Sequence, residues 1–136
     1  LEAIGCSTDR CGTEHLLLVD KDPVVRETVG GLLAQLGYCV YRAGTLEEAH
    51  SNLERDSSVI DMVIVDGELP DAVLRERLRT FQAATRGGKV IYSMPLTEQM
   101  EPEPEMGLVV DGVVHKPFLI RNLAREIRTV LDRTDA

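Results

Sequence analysis

Short apolar runs alternate along the chain with longer segments in which apolar residues recur every three or four positions. The runs at 16–19, 38–43, 60–65, 90–93 and 113–114 are predicted β-strands. The third is almost continuously apolar, as expected for a strand covered on both faces. Strands that alternate with single helices require right-handed crossovers. The pattern therefore predicts an α/β fold, a doubly wound five-stranded parallel sheet with helices on both faces.

Capping signals mark the helix boundaries. Asp22 and Pro23 predict an N-cap followed by proline at the first helical position, and Gly37 predicts the end of that helix. Thr45 and Glu48 have the spacing of a capping box, which starts the second helix. Apolar residues at helical spacing predict two more helices, at 74–86 and 119–131. Each predicted helix thus follows a predicted strand.

The connection between the fourth and fifth strands departs from this alternation. Pro95, Pro102 and Pro104 fall where the fourth helix of the pattern is due, around an acidic stretch at 98–105. A proline inside a helix costs about 3 kcal/mol or more, because it removes a hydrogen bond and its ring clashes with the preceding turn. We therefore expect this fourth helix to be shortened to one or two turns.

Length and composition predict one globular domain. With 136 residues, 43% of them hydrophobic, the chain is long enough to bury a single core. We expect a linker or disordered leader at 1–13 and the domain at 14–134. No apolar run approaches the ~20 residues of a membrane span, and no secretory signal opens the chain. We therefore expect a cytoplasmic location without membrane contact by this domain.

Charge and cysteine content argue against two further classes of protein. The 15 Lys and Arg residues against 23 Asp and Glu give a net charge of −8, which disfavours a nucleic-acid-binding surface. Of the three cysteines only Cys6 and Cys11 are close in sequence, so they form neither a zinc-site pattern nor a disulfide framework. We expect no nucleic-acid partner for this domain.

Charged and hydroxyl residues stand at the predicted strand ends. Asp20 follows the first strand, Asp66 follows the third, Ser93 ends the fourth and Lys116 comes shortly after the fifth. The carboxyl ends of parallel strands meet at one edge of a sheet, where α/β proteins bind their ligands. Two carboxylates, a hydroxyl and a lysine there suit phosphoryl chemistry. No glycine-rich loop follows the first strand, which argues against a nucleotide- or flavin-binding enzyme.

In order and spacing these residues resemble the receiver domain of two-component response regulators and hybrid histidine kinases. The resemblance covers about residues 15–133 and rests on four motifs, at 17–20 with Arg26, at 63–66 with Pro70, at 90–93 and at 116–118. It implies a flavodoxin-like (CheY-like) fold and a phosphoacceptor that signals by conformational change. The chain would then be at most an enzyme for its own phosphorylation and dephosphorylation, alone or as a module of a hybrid kinase.

The resemblance also implies roles for individual residues. Asp66 would accept the phosphoryl group from phosphohistidine on a histidine kinase or a histidine phosphotransfer protein. Asp20, Asp66 and the main-chain carbonyl of Glu68 would hold Mg²⁺. Lys116 would bind a phosphoryl oxygen, and the Ser93 hydroxyl would move toward the phosphoryl group on activation. Because receivers use one of their faces for dimerisation, a homodimer is a further expectation.

Two positions depart from the family pattern, and the loop after Asp66 looks a few residues short because 67–71 passes almost directly into the next helix. Lys21 stands where receivers carry a second acid that binds the metal directly, and its ammonium group could instead pair with Asp66 and substitute for the metal's charge. Asp22 could replace that acid, although its place before Pro23 favours helix capping. Val113 stands in place of an aromatic residue that takes part in switching. The departures leave open the alternative of a pseudo-receiver, which would bind a protein or a ligand without phosphotransfer.

Overall fold

The computed structural model describes residues 12–69, 71–84, 88–95, 109–116 and 119–133. The strands in these ranges are β1 His15–Val19, β2 Cys39–Ala43, β3 Met62–Asp66, β4 Lys89–Pro95 and β5 Gly112–Lys116. They pair in parallel in a single sheet of order β2-β1-β3-β4-β5. The helices in the same ranges are α1 Pro23–Gln35, α2 Leu46–Asp56, α3 Ala72–Ala84 and α4 Ile120–Leu131. The predicted α/β fold with a five-stranded parallel sheet is confirmed.

Apolar side chains cover both faces of the sheet. Alternate residues of β1 and β3, such as Leu17 and Val63, pack with α2 and α3 in one core cluster. The intervening residues, such as Leu16 and Ile64, pack with α1 and α4 in a second cluster. Every residue of β3 is buried, which explains why this strand is apolar at consecutive rather than alternate positions. The doubly wound arrangement follows from these two cores.

The predicted capping residues hold the starts of α1 and α2. Asp22 Oδ1 accepts a hydrogen bond from Val24 N at 2.9 Å, so Asp22 is the N-cap of α1. Thr45 Oγ1 accepts one from Glu48 N at 3.1 Å. Glu48 Oε1 in turn accepts from Gly44 N at 2.7 Å, one residue before the donor that a capping box would use. The start of α2 is therefore as predicted, with the reciprocal bond displaced by one residue.

Three strands are longer than predicted, and β1 is longer only by His15. β4 continues two residues beyond Ser93, because Met94 and Pro95 pair in register with His115 and Lys116 of β5. β5 is likewise longer than the two valines that the apolar pattern indicated. The extended pairing brings the end of β5 level with the end of β4.

Several sequence predictions lie outside the described residues. They are the leader at 1–11, the shortened fourth helix within 96–108, and the motif residues Pro70, Pro117 and Phe118. The described fold begins at Gly12, whose main-chain N–H donates to Leu36 O at 3.3 Å. No helix in the described ranges is long and apolar enough to cross a membrane.

Candidate functional site

Four strands bring the candidate residues together at the carboxyl edge of the sheet. Asp20 directly follows β1, and its main-chain N–H donates to Ala43 O at the end of β2, at 3.0 Å. Asp66 ends β3 and pairs in register with Ser93 of β4, while Lys116 ends β5. Because the strands are parallel, residues at their ends lie at one edge. The structure thus places all four where the sequence pattern predicted them.

Lys116 joins the two carboxylates. Its Nζ lies 2.5 Å from Asp20 Oδ2 and 3.5 Å from Asp66 Oδ2. The side chains of Asp20 and Asp66 are 2% and 7% exposed, whereas that of Lys116 is 25% exposed. Burial disfavours the charged ammonium group, but the hydrogen bonds and charges of Asp20 and Asp66 outweigh burial and raise the pKa of Lys116. Lys116 is therefore a charged ammonium group at neutral pH.

Each carboxylate oxygen of this pair faces a donor. Asp20 Oδ1 accepts a hydrogen bond from Asp22 N at 2.9 Å, and Asp66 Oδ1 accepts one from Glu68 N at 3.1 Å. The Oδ2 atoms of both residues face Lys116. Two buried carboxylates nevertheless share a single ammonium group, so the cluster keeps a net negative charge. An additional cation is electrostatically favoured at such a site.

Lys116, and not Lys21, is the cation that contacts Asp66. The Lys21 side chain is exposed and forms no ion pair or hydrogen bond with another described residue. Asp22 caps α1 through its Oδ1 atom, which agrees with the capping role that the sequence favoured. The loop between β1 and α1 therefore presents a lysine to solvent where the family pattern has a metal-binding acid.

The donor set for Mg²⁺ is correspondingly small. Among the described residues, no group of three or more His, Cys, Asp or Glu side chains could hold a metal ion. Asp20 and Asp66 supply two carboxylates, and the main-chain carbonyl of Glu68 lies in the loop that follows β3. Mg²⁺ is commonly bound through one or two protein carboxylates, with water and phosphate oxygens completing its shell. The residues fit a Mg²⁺ site of this kind, with weaker binding than three acids would provide.

The end of β4 closely approaches the loop after Asp66. Ser93 is buried, and its main-chain oxygen accepts a hydrogen bond from Gly67 N at 2.8 Å. A Cβ atom on Gly67 would require the Met94 side chain to shift, so glycine at this position leaves room for that side chain. Sequence reasoning assigned no role to Gly67. Its place directly after a strand-ending aspartate was the available signal.

Arg26 also makes a contact at the site that sequence reasoning did not predict. Its guanidinium Nη1 donates to the main-chain oxygen of Asp20 at 2.7 Å. The spacing of six residues from Asp20 belongs to the motif, but the spacing alone says nothing about which atom the side chain reaches. Only the packing of α1 against the ends of β1 and β2 directs Arg26 to this carbonyl.

Val113 lies beside Tyr92 in the pairing of β5 with β4. Its side chain is partly buried and packs against the core cluster on the α2 and α3 face. Tyr92 is buried in the same cluster. A packed aliphatic side chain therefore stands where the family pattern has an aromatic ring, and switching by rotation of a ring at this position is not available to this chain.

Comparison with curated proteins gives one partial relative. No family model matches the chain. The sensor kinase CckA of Brucella abortus (strain 2308) is 27% identical over 131 residues, which make up 95% of this chain and 14% of that protein. The chain therefore corresponds to a small part of the length of this relative.

Solved structures of receiver domains have the same fold. A response regulator from Chloroflexus aurantiacus J-10-fl is 26% identical, with a TM-score of 0.74 over 90% of this chain and 100% of that one. The receiver domain of the hybrid histidine kinase CckA is 26% identical, with a TM-score of 0.66 over 86% of this chain and 98% of that one. In its fold, its sequence likeness and the order of its strand-end residues, the chain is similar to the response regulator receiver domains of two-component signalling.

Proposed function

We propose that Asp66 accepts a phosphoryl group from phosphohistidine on a histidine kinase or a histidine phosphotransfer protein. The observation that carries the proposal is the placement of this buried carboxylate at the tip of β3, 3.5 Å from the ammonium group of Lys116 and in register with Ser93. A carboxylate nucleophile forms an acyl phosphate, which splits one transfer into two easier steps. The placement therefore supplies a nucleophile, a cation and a hydroxyl at one edge.

The transfer itself requires few groups from the protein. An oxygen of Asp66 forms a bond to phosphorus as the bond between phosphorus and the imidazole nitrogen breaks, and that nitrogen keeps the electron pair. Lys116 would neutralise charge on a phosphoryl oxygen, and the Ser93 hydroxyl would donate to another. Mg²⁺ held by Asp20, Asp66 and the main-chain carbonyl of Glu68 would neutralise further charge on the transferring group.

Phosphorylation would also redistribute the contacts of Lys116. Its ammonium group lies closer to Asp20 than to Asp66. An acyl phosphate on Asp66 places roughly two negative charges there, which draws the ammonium group toward the phosphoryl oxygens. We infer that phosphorylation moves the contact of Lys116 from Asp20 to the phosphoryl group.

A small phosphodonor tests the proposal. Incubation with acetyl phosphate and Mg²⁺ should add the mass of one phosphoryl group to the intact wild-type chain, and Asp66→Asn should remain unmodified. Asp56→Asn is the matched control, because it makes the same substitution at an ion pair with Arg55 on α2, and it should be modified like the wild type. Unmodified wild-type chain, under conditions that modify an established receiver, would overturn the proposal.

A second candidate is a pseudo-receiver that regulates by binding a protein or a ligand. It is favoured by the exposed Lys21 and by the donors that already face every carboxylate oxygen of Asp20 and Asp66. Lys21→Asp separates the two candidates. Phosphorylation of this variant together with an unmodified wild type would identify the natural chain as a pseudo-receiver with an impaired metal site, whereas phosphorylation of both identifies a working receiver.

We further propose that the domain acts on the cytoplasmic side, with a kinase as partner and without nucleic acid. The likeness to part of a sensor kinase supports a place in a kinase-linked relay. The net charge of −8 disfavours binding to phosphate backbones. Phosphotransfer from a purified phosphorylated histidine kinase to the wild-type chain, but not to Asp66→Asn, tests the partner class.

A further inference from the structure

We propose that Arg26 is a positioning residue that holds the Asp20 carboxylate toward Lys116 and Asp66. The inference rests on the proposed function, because it assigns Arg26 a part in the phosphoacceptor site. Arg26 lies in the first turns of α1, outside the cluster of charges itself, and contacts it through the main chain of Asp20.

All polar atoms of Asp20 have a partner, and each partner comes from a different part of the fold. The main-chain N–H donates to Ala43 O at 3.0 Å, and the main-chain oxygen accepts from Arg26 Nη1 at 2.7 Å. The carboxylate accepts from Asp22 N and from Lys116 Nζ. Asp20 is buried, so an atom that loses its partner is not readily satisfied by water.

The hydrogen bond from Arg26 to the main-chain oxygen of Asp20 fixes the orientation of the peptide that begins the loop between β1 and α1. The carbonyl that it binds belongs to the peptide between Asp20 and Lys21, from which the chain turns into α1. Two residues on, the Asp22 N–H holds Asp20 Oδ1. Rotation of the peptide would therefore move the donor that orients the carboxylate, and Asp20 Oδ2 would no longer face Lys116 in the same way.

The guanidinium group of Arg26 packs closely against Gly44. A Cβ atom on Gly44 would lie 2.6 Å from Arg26 Nη1 and 2.7 Å from Cζ, closer than such atoms approach without displacement. The main-chain oxygen of Arg26 also accepts from Arg42 Nε at 3.4 Å, which links α1 to β2. Gly44→Ala consequently offers a way to displace the guanidinium group without removing its charge.

The test combines two kinds of substitution with two measurements. Arg26→Ala removes the donor, Arg26→Lys replaces the guanidinium group with another cationic donor group, and Gly44→Ala displaces the guanidinium group. The measurements are the rate of phosphorylation by acetyl phosphate and the hydrogen-exchange rate of the Asp22 amide. We expect Arg26→Ala to slow phosphorylation about tenfold or more and to speed exchange of that amide, because a small misplacement of a reacting group is costly. Arg26→Lys should recover most of both effects, and Gly44→Ala should act in the same direction as Arg26→Ala.

Two control substitutions match these changes. Gly31→Ala adds the same methyl group in open space on α1, and Arg55→Ala removes an exposed arginine on α2. Both should leave the phosphorylation rate and the exchange of the Asp22 amide unchanged. Hydrogen exchange of the buried amides of β3 reports on stability in all variants.

The outcomes separate this inference from the proposed function. Faster exchange at Asp22 with unchanged exchange in β3 supports positioning by Arg26. Equal acceleration of both, or no change at Asp22 in Arg26→Ala and Gly44→Ala, overturns it. If the wild type is never phosphorylated, the proposed function fails, and the exchange of the Asp22 amide still decides whether Arg26 positions Asp20.

Discussion

Two charge clusters lie at opposite edges of the sheet, and each combines two carboxylates with one cation. They differ in which of these groups is buried. The acceptor cluster consists of Asp20, Asp66 and Lys116 at the carboxyl edge, and the fastening cluster consists of Glu14, Arg128 and Asp132 at the amino edge. In the acceptor cluster the acids are buried and the cation is partly exposed. In the fastening cluster the Arg128 side chain is 13% exposed, against 28% and 59% for the two acids.

The fastening cluster is saturated by its own side chains. Arg128 Nη1 donates to Glu14 Oε1 at 2.7 Å and to Tyr38 Oη at 3.4 Å, and its Nε donates to Asp132 Oδ2 at 3.3 Å. The hydrogen bonds to Asp132 and Glu14 raise the pKa of Arg128 further above its already high value. The cluster joins the start of the fold to α4 and needs no further ligand.

The contrast shows that two carboxylates and one cation can form either a site open to a further ligand or a purely structural cluster. Buried acids that share one ammonium group keep a net negative charge and can bind a further cation. A buried guanidinium group between acids that also face water is already compensated. We therefore expect substitutions in the acceptor cluster to change activity and stability together, and those in the fastening cluster to change stability alone.

The largest expected effect follows from removal of the shared cation. Lys116→Met leaves Asp20 and Asp66 buried without a counter-charge, which should lower the free energy of unfolding by about 3 kcal/mol and abolish phosphorylation. Urea denaturation at neutral pH measures the first effect. Lys21→Met, which removes an exposed lysine from the loop after β1, should change stability by less than about 0.5 kcal/mol. Equal stability of the Lys116 variant and the wild type would contradict the description of the acceptor cluster.

A smaller loss is expected at the opposite edge. Arg128→Gln should lower the free energy of unfolding by about 2 kcal/mol, because hydrogen bonds to two carboxylates and a tyrosine are lost, while the rate of phosphorylation stays unchanged. Arg55→Gln, at an exposed ion pair on α2, is the control and should have almost no effect. A reduced phosphorylation rate in the Arg128 variant would mean that the two edges are coupled.

Neutralising an acid of the acceptor cluster should raise the free energy of unfolding, in contrast to the two substitutions above. Asp66→Asn removes one of two buried like charges and keeps an oxygen that can accept from Glu68 N. We expect the free energy of unfolding to rise by about 1 kcal/mol, because residues of a functional site are often not the most stabilising ones at their positions. Thermal unfolding at neutral pH measures it. Lower stability would show that Lys116 already compensates both carboxylates.

The smallest expected effect is a change in stability at acid pH that depends on Glu14. Burial favours the neutral form of Glu14, but the hydrogen bond and charge of Arg128 outweigh it and lower the pKa of Glu14 below its ordinary value of 4.5. A lowered folded-state pKa stabilises the fold above the unfolded-state value, and this contribution disappears as the pH falls through the folded-state value. The stability difference between wild type and Glu14→Gln should therefore shrink between about pH 5 and pH 3. A difference that is constant over this range would contradict the assignment.

Much of the fold could be predicted because its signals are local. The continuous apolar run of β3, the cap at Asp22 and the N-terminal half of the capping box at Thr45 each depend on neighbouring residues. The hydrogen bond that Glu48 accepts from Gly44 N and the two extra residues at the end of β4 were missed. Both depend on how a loop or a strand fits its spatial neighbour, for which the sequence carries no periodic signal.

The candidate site divides in the same way. Parallel pairing alone is enough to bring Asp66, Ser93 and Lys116 to one edge, so the sequence pattern predicted their juxtaposition. It did not predict that Lys116 bonds Asp20 more closely than Asp66, or that Arg26 binds the main chain of Asp20. Distances below 4 Å between residues far apart in the chain follow from strand register and helix packing.

The sequence by itself determined the alternation of strands and helices, the buried character of β3 and the set of residues at the carboxyl edge, because each follows from periodicity and from the parallel order of strands. Only the tertiary structure decided which cation each buried acid receives. Lys21 is next to Asp20 in the chain yet points to solvent, while Lys116 comes from the far end of the sheet to join both acids. In a close-packed fold, charge pairing is set by where side chains meet in space.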